Sequence, residues 1–175
     1  MKYTCFILLF IVAFFLGCNQ SDPVINNPNP IPTDTIRADT CGTQKYTDSI
    51  AVLNNQSIHQ YIADKHLIVD STSTGLYYAI SDSGIGLVPN DNSYIYVKYT
   101  GYLTNDTLFD TSRTIPIEFL LQNTIQGWRQ GLPLIKKSGK IKLIIPAALA
   151  YGCNEISNIP INSVLIFDIE LVNVR

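Results

Sequence analysis

Three segments of the chain carry apolar side chains at every second position, and this pattern limits the fold more than any other feature of the sequence. The segments are 94–103, 140–145 and 165–171. Successive side chains of a β-strand point to opposite faces of the sheet, so each segment is expected to be a strand with one face on a core. Turn clusters at 81–84 and 89–92 separate the short β-rich stretches, which favours an antiparallel sheet.

Two further segments have apolar residues at helical spacing. In 125–135 they recur every three or four positions, which predicts one short helix against the sheet. Pro133 should bend or shorten that helix, because proline lacks the N–H that a helix interior needs. A second helical stripe lies between Asp48 and His66. Strands with one inserted helix predict an α+β domain of roughly a hundred residues.

The amino terminus has the pattern of an export signal. Lys2 precedes the apolar run 6–16, which is too short to span a bilayer as a mature helix. The run ends in Phe-Leu-Gly-Cys, which resembles a bacterial lipobox in which Cys18 is acylated and becomes the first residue. We therefore expect a signal peptide at 1–17 and a membrane-anchored lipoprotein of the cell envelope, on the periplasmic or the surface face of the outer membrane.

A tether is expected to follow the acylated cysteine. Residues 18–45 contain four prolines among many Asn, Asp and Thr residues, a composition that buries little apolar area. A helical extension at 46–71 and the main domain at 72–175 complete the expected organisation. Export would allow Cys41 and Cys153 to form a disulfide, but nothing in the sequence brings them together, so free thiols are the favoured interpretation.

Composition and missing motifs exclude several classes of function. Twelve Lys and Arg residues oppose fourteen Asp and Glu residues, and a net charge of −2 provides no field to hold a nucleic acid. The sequence contains no GxxxxGK[ST], GxGxxG or HExxH motif. His59 and His66, without a carboxylate partner, make a poor metal site. We therefore expect neither a metal nor a cofactor, and we interpret the lysine-rich stretch 136–142 as a solvated turn and strand face.

Five motifs occur in a recognisable order along the second half of the chain. They are VKYTGYL at 97–103, FDTS at 109–112, IQGWRQGL at 125–132, IPAALAYG at 145–152 and IPINSVLIFDIEL at 159–171. Together they resemble the FKBP-type peptidyl-prolyl isomerases over about residues 72–175. The resemblance implies a twisted antiparallel half-barrel wrapped on one short α-helix, with an apolar pocket that accepts a prolyl side chain.

The resemblance also implies roles for individual residues. It assigns the pocket floor to Trp128, a buried carboxylate near the rim to Asp110, and a phenol that donates to a substrate carbonyl to Tyr151. The N–H of Ile125 would meet another carbonyl, and Ile159 would lie in a flexible loop above. The implied catalytic set is Tyr99, Phe109, Asp110, Trp128, Tyr151 and Phe167. The implied substrate-binding set is Ile117, Phe119, Thr124, Ile125 and Ile159.

The implied activity is isomerisation of X-Pro bonds in exported proteins, with proline-containing polypeptides as substrates and a macrolide as a further candidate ligand. Three departures from the family pattern bear on macrolide affinity and substrate preference. Ile117 occupies a position where many family members have a pocket aromatic, Thr124 replaces the usual valine, and Ile161 replaces the second proline of an IPP run. Two alternatives stay open: a non-catalytic chaperone-like or ligand-binding module of the same fold, and a structural envelope lipoprotein that docks onto a neighbour.

Overall fold

The computed structural model describes residues 48–175. The predictions for the signal peptide at 1–17, for Cys18 and for the tether at 18–45 lie outside the described residues, as does Cys41. The helices are α1 (Asp48–Asp64) and α2 (Gln126–Gly131). The strands, in chain order, are β1 (Asp70–Ser71), β2 (Tyr77–Asp82), β3 (Tyr94–Leu103), β4 (Leu108–Thr111), β5 (Ile117–Leu120), β6 (Lys140–Ile145) and β7 (Leu165–Val174).

The seven strands form one open antiparallel sheet, which confirms the predicted fold class. Its strand order is β1-β2-β6-β7-β3-β4, and β5 pairs with β3 beside this path. The three segments with period-two patterns are adjacent in the sheet as β6, β7 and β3. The register aligns Tyr99 on β3 with Ile169 on β7, and Ile169 in turn with Ile141 on β6. Their alternate side chains therefore share one buried face.

The short helix α2 lies on that face, as the sequence predicts. Pro133 falls in the 3-10 turn Leu132–Leu134 directly after α2, so the regular helix ends before the proline. Gly127 lets the helix approach the sheet closely, because a Cβ atom there would lie 2.5 Å from Cγ2 of Ile145. Leu132 and Leu143 are fully buried in the resulting core.

The opposite face of the sheet is covered by α1. Ile58 and Tyr61 of this helix pack with Ile144 of β6 and with Val164 and Ile166 at β7. Ile144 and Ile166 are fully buried although they occupy the alternate positions of their strands. The two central strands are therefore buried on both faces where α1 lies, and α1 is part of the folded domain.

The favoured interpretation of free thiols is wrong for Cys153, which is disulfide-bonded. The residues that the structure describes contain no second cysteine. Sequence spacing carries no signal for such a bond, because tertiary folding decides which distant positions meet. Across residues 48–175, no helix combines the length and the apolar character that crossing a membrane requires.

Candidate functional site

An aromatic-lined cavity of about 210 Å³ lies between α2 and the sheet. Strands β3, β4, β5 and β7 each contribute one side chain to it, and the remainder comes from the entry to α2, from α2 itself and from the segment after β6. Its lining residues are Tyr99, Asp110, Phe119, Asn123, Thr124, Ile125, Trp128, Tyr151 and Phe167. The cavity thus brings together eight of the eleven residues that the resemblance implicates.

Trp128 forms the floor of the cavity. Its indole ring is 4% exposed and meets three other rings edge to face. The centroid distances are 5.2 Å to Tyr99, 5.3 Å to Phe167 and 5.7 Å to Phe119. Edge-to-face contacts at this separation are the favoured geometry for aromatic pairs, so the four rings fix one another in place. The floor is a close-packed set of aromatic rings.

The backbone of Tyr99 is fixed by hydrogen bonds to Thr111 and Ser112. Its N–H donates to Oγ of Ser112 at 2.8 Å, and its carbonyl accepts from the N–H of Ser112 at 3.0 Å. The hydroxyl of Thr111 donates to the same carbonyl at 3.1 Å. Ser112 is buried, so these bonds are shielded from competition with water. The clamp fixes the direction in which the phenol of Tyr99 crosses the cavity.

The rim carries a carboxylate coupled to that phenol. The hydroxyl of Tyr99 donates to Oδ2 of Asp110 at 2.8 Å, and Oδ1 accepts from the N–H of Thr111. Asp110 is exposed, which corrects the expectation of a buried carboxylate: among residues 48–175, β4 is the edge strand of the sheet. Burial and this hydrogen bond raise the pKa of Tyr99, so its phenol stays protonated.

Two hydrogen-bond donors border the opening. Ile125 precedes α2, and its carbonyl accepts from the N–H groups of Trp128 and Arg129. Within residues 48–175, the N–H of Ile125 itself makes no hydrogen bond. Tyr151 is half-buried, and burial, followed by the charge of Asp110, raises the pKa of its phenol. Its hydroxyl therefore remains a donor throughout the physiological pH range.

Three implicated residues do not line the cavity. Phe109 supports it from behind, with its ring 5.5 Å from the ring of Phe167. Ile117 is exposed on β5. Ile159 is buried in the main core instead of lying in an open loop. Phe119 takes the aromatic place on β5. Ile117, two residues earlier, lies on the same face of the strand but at its first position, where it is exposed and outside the cavity lining.

The structure adds three residues that sequence reasoning missed. Asn123 lines the cavity from the turn before α2. Ser112 is the last residue of the FDTS motif. Its place two residues after Asp110 was a sequence signal that it could help to position the site, as its bonds to Tyr99 do. Asn54 of α1 bonds to Ala147 and Asn162 at the two ends of the loop that carries Tyr151. Sequence separations of 93 and 108 residues give no signal for those contacts.

A second, larger groove of about 510 Å³ lies on the polar face of the sheet. Its lining is charged, with Lys98, Lys142, Asp168 and Glu170 among its residues, and Lys142 and Asp168 form an ion pair. It is an open, charged surface and does not have the cluster of aromatic rings that lines the first cavity. Among the described residues, no three His, Cys, Asp or Glu side chains are grouped so that they could hold a metal ion.

Comparison with known proteins gives a consistent result. A family model described as FKBP-type peptidyl-prolyl cis-trans isomerase matches residues 87–172. The chain is 51% identical over 110 residues to the FKBP-type peptidyl-prolyl cis-trans isomerase FkpA of Buchnera aphidicola subsp. Schizaphis graminum. That match covers 61% of this chain and 44% of the relative, so the chain spans less than half of the relative's length.

Two solved structures share the fold. The crystal structure of FkpA from Escherichia coli has a TM-score of 0.65 at 40% identity. The match covers 72% of this chain and 61% of the FkpA chain. The crystal structure of AtFKBP13 has a TM-score of 0.58 at 31% identity; the match covers 62% of this chain and all of that one. The cavity and its rings lie within residues 87–172, the part of the chain that the family model matches.

Proposed function

The chain belongs to the FKBP-type peptidyl-prolyl cis-trans isomerases, and from that premise we propose that its folded domain, which includes α1, catalyses cis–trans isomerisation of X-Pro bonds in polypeptides. The observation that carries the proposal is the ring-lined cavity of about 210 Å³. Cavities for drug-sized ligands are larger, at roughly 300–1,000 Å³. A space of this size, closed by Trp128 at its floor, suits a single pyrrolidine ring.

The reaction requires rotation about one amide bond and no proton transfer. The barrier is roughly 18–20 kcal/mol, and uncatalysed exchange takes tens to hundreds of seconds. Exchange in about a millisecond requires a 10⁴ to 10⁵-fold acceleration, or roughly 5.5–7 kcal/mol of differential transition-state binding. Twisting removes amide conjugation and makes the carbonyl less dipolar, so an apolar cavity stabilises the twisted state relative to the planar one.

Each part of the cavity supports one element of this mechanism. The rings of Tyr99, Trp128 and Phe167 exclude water and hold the prolyl ring, while the residue before proline stays free to turn. The N–H of Ile125 and the hydroxyl of Tyr151 bind the flanking carbonyls of the substrate. Asp110 accepts the hydrogen bond of Tyr99 and thereby positions that ring, so its role is electrostatic and not that of a general base.

We further propose that the protein works in the cell envelope on exported polypeptides, as a lipoprotein anchored through Cys18. The apolar run 6–16 before Cys18 and the disulfide at Cys153 both support export, because disulfides persist in oxidising compartments. Metabolic labelling with a fatty acid tests the anchor, and the label should be absent from the Cys18→Ala variant. A macrolide such as rapamycin is proposed as a competing ligand of the cavity, and titration into the isomerase assay tests it.

The isomerase proposal is tested on the full chain in mild detergent with a proline tetrapeptide, by a protease-free optical assay. The parent should accelerate exchange, and Phe119→Ala should lower kcat/KM at least tenfold because it opens the cavity to water. Tyr77→Ala is the matched control, since it truncates another half-buried ring outside the cavity. Trp128→Leu should remove most of the activity, and its thermal unfolding is recorded to verify that it is folded.

Equal rates for Phe119→Ala and Tyr77→Ala would contradict the assignment of the cavity. A parent that suppresses aggregation of an unfolded protein without accelerating X-Pro exchange would support the alternative of a non-catalytic, chaperone-like module. The two activities separate when the aggregating protein has no slow phase limited by proline.

A further inference from the structure

The loop between β2 and β3 presents apolar side chains to solvent. Ile85 is 80% exposed and Leu87 is 61% exposed, and the adjacent Val88 is also exposed. Leu134 is exposed in the 3-10 turn after α2. It lies two residues before the segment Lys136–Lys137, whose backbone is hydrogen-bonded to this loop. We call Ile85, Leu87, Val88 and Leu134 the apolar patch. None of these four residues lines the aromatic cavity.

The patch is held in place by its backbone. The N–H of Ile85 donates to the carbonyl of Lys137 at 2.9 Å, and the N–H of Lys137 donates to the carbonyl of Leu87 at 3.0 Å. Gly84 and Gly86 have φ values of +67° and +91°, a left-handed conformation that other residues adopt at a cost. Because the loop is fixed, its apolar side chains cannot turn inward and little ordering is needed when they meet a partner.

Lysines lie beside the patch. Lys136, Lys137 and Lys140 are all exposed, and the first two belong to the turn to which the loop is bonded. The carboxylate on the facing end of β2 is Asp82, whose Oδ1 accepts from the N–H of Gly84 at 2.9 Å. Asp82 and Glu170 are both paired with Lys140 in the sheet, so Lys136 and Lys137 leave this end of the domain positively charged. A partner must therefore accept apolar side chains and supply negative charge at their edge.

We propose that the apolar patch and its lysines contact the surface of an anionic lipid bilayer. Apolar side chains enter the boundary between headgroups and acyl chains, and lysines beside them bind lipid phosphates. A second copy of this chain is a poorer partner, because a two-fold contact of the patch with itself would bring the lysines of both copies together. The proposal concerns attachment of the domain and does not depend on catalysis in the cavity.

The predicted lipid anchor would make a weak contact sufficient. The domain would then stay close to the bilayer, where the effective concentration of lipid is high. Insertion of the patch would orient the domain on the surface instead of leaving it free to tumble.

The test uses Trp fluorescence of the full chain bound to vesicles of phosphatidylcholine and phosphatidylglycerol whose acyl chains are brominated. The chain has one Trp, and Trp128 is buried, so Leu87→Trp adds a second emission that reports on the loop. Gln56→Trp is the matched control on the exposed side of α1. Both variants carry the same amino terminus, so a difference in quenching reports where each residue lies.

We expect the emission added by Leu87→Trp to be quenched at least twofold more than that added by Gln56→Trp. Combining Lys136→Gln and Lys137→Gln with Leu87→Trp should reduce this quenching and raise the phosphatidylglycerol content needed for it about tenfold. Equal quenching of the two Trp variants would overturn the proposal. A blue shift of the Leu87→Trp emission that depends on protein concentration without vesicles would overturn it in favour of self-association.

The isomerase assay without vesicles keeps this proposal separate from the proposed function. Leu87→Trp should retain the kcat/KM of the parent, because Leu87 lies outside the cavity. An inactive parent with strong quenching of Leu87→Trp would reject the catalytic proposal and support the membrane contact.

Discussion

Asn54 joins the amino-terminal helix to the loop that carries Tyr151, and its replacement tests whether α1 supports the catalytic site. Its Oδ1 accepts from the N–H of Ala147 at 2.7 Å, and its Nδ2 donates to the carbonyl of Asn162 at 3.0 Å. Asn54 is 6% exposed. Asn54→Ala removes both bonds and leaves the partner groups without a side chain to satisfy them.

The expected cost follows from the burial of these partners. Leaving a buried donor or acceptor unsatisfied costs roughly 1–3 kcal/mol. Ala147 is fully buried, so its unsatisfied N–H should account for most of the loss in stability. Asn162 is half-buried, and water can reach its carbonyl. The free energy of unfolding should fall by about 2–4 kcal/mol. For a domain of this size, the melting temperature should fall by roughly 8–16 °C.

The same substitution should affect binding of substrate. Because Ala147 and Asn162 border the loop with Tyr151, a looser loop should raise KM for the tetrapeptide several-fold, with a smaller change in kcat. Thermal unfolding and steady-state isomerisation measure the two effects. Gln56→Ala is the control, since it truncates an exposed polar side chain on the same helix and should change stability by less than about 0.5 kcal/mol. Identical melting temperatures and KM values for the two variants would refute the reasoning.

Three further predictions concern the cavity. Tyr99→Phe keeps the ring but removes the 2.8 Å hydrogen bond to Asp110, so kcat/KM should fall about threefold to tenfold with little loss of stability. Activity as low as that of Trp128→Leu would contradict a positioning role for the hydroxyl of Tyr99. Gly127→Ala should lower the free energy of unfolding, measured by urea denaturation, by about 1–3 kcal/mol, because the added Cβ would lie 2.5 Å from Ile145. Unchanged stability would mean that α2 does not pack this closely against β6. The pKa values of Tyr99 and Tyr151 are raised above their usual 10.0, so the stabilisation from the neutral phenols is complete below about pH 10 and is lost above it. Urea denaturation across this range should give a free energy of unfolding that falls above about pH 10, and falls less steeply for Tyr151→Phe.

Local patterns predicted most of the elements correctly. The period-two segments became β3, β6 and β7, and the helical stripes became α1 and α2, with the regular part of α2 ending before Pro133. Such patterns succeed because a strand or a helix must bury one regular face, and the spacing of apolar residues records that face. The pattern did not reveal that Ile144 and Ile166 would be buried beneath α1, because two-sided burial depends on where a separate helix packs.

The candidate site divides in the same way. Motif order was sufficient to implicate Trp128, Tyr99 and Phe167, whose rings meet in the folded chain. It was insufficient for Ile117, which is exposed at the start of β5 and does not line the cavity, and for the exposure of Asp110, which follows from the edge position of β4. Those properties depend on register and on neighbouring strands, and a motif specifies neither.

The amino-acid order alone determined that β3, β6 and β7 are strands and that α1 and α2 are helices, which residues supply the rings, and that the first 18 residues resemble an export signal. The tertiary structure alone decided that Asn54 reaches Ala147 and Asn162, that Cys153 is disulfide-bonded, and that Ile85 and Leu87 project beside Lys137. Helix and strand periodicity arises among residues a few positions apart and is written in the local sequence. Contacts between distant segments form only when the whole core packs.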